Sequence, residues 1–201
     1  KALIIGAGFI GLEMTEQLIH KGLEVTVVQL EDQVMPPMDA DMTFRVEEHM
    51  REKGVNLILS DTVKTIEGET SIEKVITTNG ITIEPDIVIL SAGVRPNTEL
   101  AKEIGVEIGN SSAIAVNKKM QTNLPDVYAV GDVAESFSAI TGKPIYRPLG
   151  STANKMGRIA GDVITGDDLE HRGVLGTGIF RIFDLHVGQT GLTEKKKKKE
   201  G

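Results

Sequence analysis

Two hydrophobic periods alternate along the first ninety or so residues of this chain. Residues 1–5 form a short apolar run that closes on Gly6, and residues 9–21 then carry Ile10, Met14 and Leu18 at helical spacing. The pattern predicts a strand, a tight turn and a helix. Gly22 stops that helix, and in residues 23–30 the apolar set Leu23, Val25, Val27 and Val28 predicts a largely buried second strand. Asp39 is the predicted N-cap of a second helix, in which Met42, Val46 and Met50 recur at helical spacing until Gly54. Residues 55–59, 62–67, 73–78 and 81–84 read as strands. The last two are joined by Asn79-Gly80, a strong hairpin signal. Residues 86–90 are β-branched and close on Ser91, Ala92 and Gly93, which predicts a buried parallel strand returning to the first sheet. An antiparallel meander is thus expected to interrupt a parallel α/β unit.

From about residue 111 the pattern shifts to short strands and loops. Residues 126–130 read as extended, Gly131-Asp132 as a turn, residues 151–164 as a helix and residues 173–184 as a strand. These changes predict boundaries near residues 110 and 168, giving segments 1–110, 111–168 and 169–201.

Composition narrows the functional classes without naming one. At 40% hydrophobic and 25% charged residues the chain is of ordinary globular composition. The net charge is −7 and the bases are scattered apart from residues 195–199, read as a solvated tail, so no positive stripe invites nucleic acid. The longest apolar stretch, residues 2–12, is about half of what a bilayer requires and holds three glycines, so no membrane span is expected. Cysteine is absent, which removes disulfides, thiolate metal sites and cysteine nucleophiles from these residues and fits a cytoplasmic setting. His20, His49, His171 and His186 show no ligand spacing and read as surface or packing residues, so no metal site is expected. A start on Lys1, directly on an apolar strand, suggests a piece of a longer protein.

The chemistry sits first in GAGFIG. Gly6, Gly8 and Gly11 have GxGxxG spacing after a predicted strand and at the opening of a predicted helix, the context that gives this motif physical meaning. Gly6 permits the tight turn, Gly8 lets bare backbone approach a pyrophosphate, and Gly11 lets helix pack on strand. The helix N-terminus adds free amides and partial positive charge. The motif places the segment in the Rossmann-like α/β class. An acid is expected at the end of the second strand to hold the adenosine ribose hydroxyls, yet Gln29 stands there, with Glu31 and Asp32 close enough to substitute. Gln29 can accept a hydrogen bond but lacks the charge that would repel a 2′-phosphate. NADH and NADPH both stay open, with a lean to NADH because no nearby Arg invites a phosphate.

A second constellation, TNLPDVYAVGD at residues 122–132, ends in a Gly131-Asp132 turn that could set a carboxylate against a sugar-like hydroxyl or be a generic strand end. Four segments in order, GAGFIGLE, SAGVRPN at residues 91–97, TNLPDVYAVGD, and PLGSTANKMGRIAGDVITG at residues 148–166, resemble the pyridine nucleotide-disulfide oxidoreductase family. The likeness is to its branch of NADH oxidases, NADH peroxidases and coenzyme A-disulfide reductases, and GIFRIFDLHVGQTGLTEK at residues 178–195 adds a fifth segment. The resemblance implies an NAD(P)-binding domain with a β-meander crossover at 1–110, part of an FAD-binding domain at 111–168, and the start of a homodimerisation domain at 169–201. It implies FAD and NAD(P)H as cofactors, with hydride passing from nicotinamide to flavin and on to a small acceptor: a disulfide, peroxide or dioxygen. A non-catalytic nucleotide-binding or regulatory module is the alternative. An unrelated short-chain dehydrogenase is disfavoured, since neither Tyr128 nor Tyr146 has a Lys four residues later.

Residue by residue, the resemblance matches Phe9 to an aromatic that shields the flavin face until nicotinamide displaces it, or else to a core Phe. Glu13 matches an acid near the nicotinamide carboxamide, or a solvated helix-face Glu. Ile10 lies within the same fingerprint, and Gly93 would approach the dinucleotide. Gly131 and Asp132 would meet the FAD ribitol, and the helix from Ser151 would aim its positive end at the flavin pyrimidine. The family's redox cysteine and the FAD's own glycine motif would lie outside these residues, so no catalytic residue is expected here and the segment alone is expected to be inactive.

Overall fold

The computed structural model describes residues 1–200, which form two compact units: residues 1–93 with the stretch from Gly178 onward, and residues 94–177. The first unit opens with β1 (Ala2–Ile5), α1 (Phe9–His20), β2 (Val25–Val28), α2 (Ala40–Glu52) and β3 (Asn56–Ile58). The predicted meander follows as β4 (Val63–Glu67), β5 (Lys74–Thr77) and β6 (Thr82–Ile83), and β7 (Ile87–Leu90) returns to the sheet. The parallel order is β3-β2-β1-β7, with Ala2 level with Val25 on one side and Ile87 on the other.

All four residues of β1 are buried because the sheet is covered on both faces, which is why this strand reads as a continuous apolar run. Ala2 and Ile4 point into a cluster with Leu12 of α1 and Val46 and Met50 of α2. Leu3 and Ile5 point the other way, onto Val75 of the meander. The meander thus fills the layer that a crossover helix would otherwise occupy, and Asp61 anchors it. Burial would push the Asp61 carboxyl up, but hydrogen bonds from the Thr77 and Thr78 hydroxyls and the Thr62 and Asn79 amides outweigh that and hold it at about 2.

The second unit holds α3 (Glu99–Glu103), a hairpin of two short strands, β8 (Ser136–Phe137) and β9 (Pro144–Ile145), and α4 (Gly150–Ile164). Its core gathers Ala101, Val106, Met120 and Met156. Residues 126–130 depart from the extended reading. Asp126 adopts φ 60° in a turn after Pro125, and this stretch carries only an isolated bridge between Gln121 and Tyr128. The chain then returns to the first unit with β10 (Gly178–Ile182), β11 (Leu185–Gln189) and α5 (Glu194–Glu200).

Compactness therefore divides the chain at 93/94 and 177/178, whereas the sequence pattern changes near 110 and 168. Ala101 and Val106 belong to the second unit's core, and Phe180, Ile182 and Phe183 to the first. The strand read over residues 173–184 begins only at Gly178. The predicted N-cap Asp39 does sit at the start of α2, but its carboxylate makes no cap there. It accepts instead from the Glu194 and Lys195 amides at 2.9 and 3.2 Å, tying the first turn of α5 to the unit. No helix is long and apolar enough to cross a membrane among the described residues.

Candidate functional site

The bend between β1 and α1 is built from three glycines with three different environments. Gly6 takes φ +102°, and a Cβ there would lie 2.5 Å from the Ser91 carbonyl oxygen. At Gly11 a Cβ would fall 2.0 Å from the Gly6 carbonyl oxygen, because α1 rests directly on the bend. Gly8 is the opposite case: a Cβ would meet nothing within 4 Å. Two glycines close the turn and the third leaves bare main chain facing open space. Gly8 is also the N-cap of α1, with no capping side chain and no acid in the first turn, so the leading amides of the helix keep their partial positive charge and need an outside acceptor.

Neighbouring residues lock this bend in place. The Ser91 hydroxyl bonds to the carbonyl oxygens of Ile5 and Gly6 at 3.0 and 2.9 Å, stitching the end of β7 under the turn. The Ala7 N–H donates to Gln29 Oε1 at 2.6 Å. Gln29 is 5% exposed, so its side chain faces the glycine turn and not the solvent. Its amide nitrogen donates to the carboxylate of Glu31, which is exposed. Phe9 and Glu13, one helical turn apart, share the exposed side of α1, with Ile10 beside them at 53% exposure. The Phe9 ring meets Phe180 edge-on, with centroids 5.1 Å apart. Gly93, at φ +99°, is likewise exposed, with nothing within 4 Å of a Cβ built on it.

In the second unit, Gly131 and Asp132 form a single 3-10 turn. Gly131 takes φ +80° and packs on the first turn of α4, where a Cβ would come 3.7 Å from Ala153 Cβ. The Asp132 backbone carbonyl accepts from the Tyr146 hydroxyl at 2.9 Å, while the residue is exposed, leaving its carboxylate turned to solvent. Ser151 is the second residue of α4, also exposed; that helix starts on Leu149 as N-cap, without a capping side chain or an acid in its first turn. The structure therefore gathers Gly6, Gly8, Phe9, Ile10, Gly11, Glu13 and Gln29 around one bend, and Gly131, Asp132 and Ser151 around another.

A family model described as pyridine nucleotide-disulphide oxidoreductase matches residues 1–157, spanning the first bend, the returning strand and the Gly-Asp turn. The chain belongs to the pyridine nucleotide-disulphide oxidoreductase family. Within that family it is 46% identical over 200 residues to the CoA-dependent NAD(P)H sulfur oxidoreductase of Pyrococcus furiosus, a match covering 99% of this chain and 45% of that protein. The solved structure of reduced Bacillus anthracis CoADR-RHD superposes with a TM-score of 0.94 at 42% identity, covering 99% of this chain and 36% of the other. The water-forming NADH oxidase from Lactobacillus brevis, bound to NADH, gives 0.93 at 31% identity, covering 100% and 44%. This family member thus spans less than half the length of these relatives.

Two residues that hold α1 and the first bend in place were given no role from the sequence. Glu16 reads as one more polar position of α1, yet it is 3% exposed, pairs with Arg181 at 3.1 Å and accepts from the Phe183 N–H at 2.9 Å. Its partners lie more than 160 residues away, beyond the reach of any local pattern. Ser91 carried a signal, since it opens the SAG that follows β7, but its contact with the glycine turn depends on the strand order. Among the histidines, His171 is a buried packing residue whose Nδ1 accepts from the Gly173 N–H. His49 lies 2.7 Å from Asp184.

Proposed function

We propose that this chain is the NAD(P)H-binding core, with part of the FAD site, of an FAD-dependent oxidoreductase acting on a small disulfide, peroxide or dioxygen. The observation that carries the reading is the β1–α1 bend, where Gly6 and Gly11 admit no side chain and Gly8 faces open space. That division of labour is the one a diphosphate needs: a fixed turn, a bare approach and uncapped helix amides. Gly6, Gly8 and Gly11 would hold the pyrophosphate of NAD(P)H, Gly93 would line its approach, and Gln29 with its neighbours would meet the adenosine ribose. Ile10, exposed in the first turn, would flank the same ligand. Phe9, at 37% exposure, has room to turn aside for the nicotinamide, and Glu13 on the same side of α1 would accept from its carboxamide.

The second unit fits the flavin half. Asp132 offers a carboxylate for ribitol hydroxyls, Gly131 allows the close turn, and α4, from Gly150 and Ser151, directs an uncapped positive end where negative charge would gather on reduction. When bound, the two cofactors supply the hydride chemistry, and the protein supplies position and field. The names borne by the P. furiosus and L. brevis relatives support this class of reaction. Homodimerisation, with residues 169–201 opening the dimerisation domain, and cytoplasmic residence complete the proposal; the absence of cysteine from all 201 residues fits a reducing compartment.

The test uses the full-length protein. It is expected to be isolated yellow with bound FAD, and Asp132→Ala is expected to lose at least about half of that flavin on gel filtration, since removing a charged hydrogen-bond acceptor weakens binding roughly tenfold or more. A colourless full-length protein that still binds dinucleotide would favour the non-catalytic module. An Asp132→Ala protein that keeps its flavin would remove Asp132 from the site.

A further inference from the structure

The end of β2 departs from what a dinucleotide site of this type requires, and the departure is compensated two residues later. An acid at position 29 would hold the ribose hydroxyls and repel a 2′-phosphate. Gln29 has no charge, and its oxygen is already engaged by the Ala7 N–H at 2.6 Å. That bond fixes the amide's orientation, because only Oε1 can accept from a backbone N–H. The nitrogen side must then face Glu31, and it donates to the Glu31 carboxylate. The two bonds agree on one orientation. Gln29 is buried and Glu31 is exposed, so the pair carries an anchored contact from the glycine turn out to a solvent-facing carboxylate.

No cation neutralises Glu31 among the described residues: its side-chain partner is a neutral amide, and no ion pair to Glu31 or Asp32 forms there. No base occurs between Gln29 and Asp39 in sequence, and the Lys195 ammonium that reaches this stretch is held by Gln33 Oε1. A glutamate at position 29 would be self-defeating here. It could still accept from Ala7, but its second oxygen would face the Glu31 carboxylate.

We propose that Glu31, aimed by Gln29, is the acid that meets the adenosine ribose in this chain, and that the pair selects NADH over NADPH. The inference rests on the reading of the glycine bend as a dinucleotide site. Glu31 accepts from the 2′- and 3′-hydroxyls, and its charge opposes a 2′-phosphate carrying about −1.5 to −2. Gln29 is a positioning residue: it links the ribose acid to the turn that holds the pyrophosphate, so both ends of the adenosine half share one rigid support.

Calorimetry of the chain with ADP-ribose and with its 2′-phosphate isolates that half of the cofactor. The wild-type chain is expected to bind ADP-ribose at least about 30-fold more tightly, in line with hydrogen bonds to a charged group. Glu31→Gln should bring the ratio within about threefold, mostly by weakening ADP-ribose. Gln29→Glu alone should also weaken ADP-ribose, through repulsion of Glu31. The exchanged pair, Gln29→Glu with Glu31→Gln, restores one amide and one acid and should recover much of the discrimination, a rescue that a purely structural role would not give. If ADP-ribose binds and Glu31→Gln leaves the ratio unchanged, this inference fails while the dinucleotide reading stands. If ADP-ribose does not bind the wild-type chain at all, both fail.

Discussion

The Gly8→Val chain is expected to fold like the wild type and to bind NADH at least about 100-fold more weakly, a loss of roughly 2.7 kcal/mol. Folding is spared because Gly8 has φ −81° and ψ −173°, extended backbone that any residue adopts, and because a Cβ there meets nothing in the protein. The same open space is what the diphosphate would fill. Gly11→Ala serves as the contrasting control, since its Cβ would fall 2.0 Å from a backbone oxygen and damage the fold itself. Thermal unfolding and calorimetry on the two variants separate the effects. A Gly8→Val chain with unchanged affinity would show that the ligand lies elsewhere.

The second large effect concerns Glu16. Its carboxylate is buried, faces Arg181 and takes the Phe183 N–H, so it fastens the β10–β11 hairpin to α1. Glu16→Ala is expected to lower the unfolding free energy by about 2–4 kcal/mol, since a backbone donor loses its acceptor and a buried pair is broken from its inner side. Arg181→Ala should cost less, about 1 kcal/mol, because the guanidinium is 57% exposed and water replaces part of the contact. Glu16→Gln should fall between these, its amide oxygen still able to accept from Phe183. Denaturant titration decides the matter. A Glu16→Ala midpoint indistinguishable from wild type would mean that the hairpin is held by its apolar contacts alone.

That clamp also marks where the sequence stopped being legible. The β1–turn–α1 unit and the Asn79-Gly80 hairpin could be read because period, glycine spacing and turn chemistry are local, and both formed where expected. The parallel return of β7 was readable too, but its burial was not: β7 is the edge strand of the order β3-β2-β1-β7, with Ile87 and Leu90 exposed, so its apolar run did not mean cover on both faces. Asp39 shows the limit. A capping residue was recognised at the right place, but a partner more than 150 residues away takes its carboxylate. α3, with five residues, and the two-residue strands β8 and β9 are too short to display a period. The turn at Asp126 was hidden because Val127, Tyr128, Ala129 and Val130 look like a strand from their side chains alone.

The candidate site divides along the same line. The glycines, Phe9 and Glu13 lie within one motif and could be named from spacing and resemblance. The position of Gln29 could also be named, but its orientation could not: the Ala7 amide that turns it inward lies across the sheet's end, a contact set by the pairing of β1 with β2.

The most direct test of the account follows the backbone amides of the isotopically labelled chain by NMR while NADH is added. The resonances of Gly8, Phe9 and Ile10 are predicted to shift first and furthest and to saturate together, as expected for main chain that receives a diphosphate. Saturable binding that leaves those three amides unmoved, with its shifts gathered elsewhere, would contradict the claim that this bend is the nucleotide site.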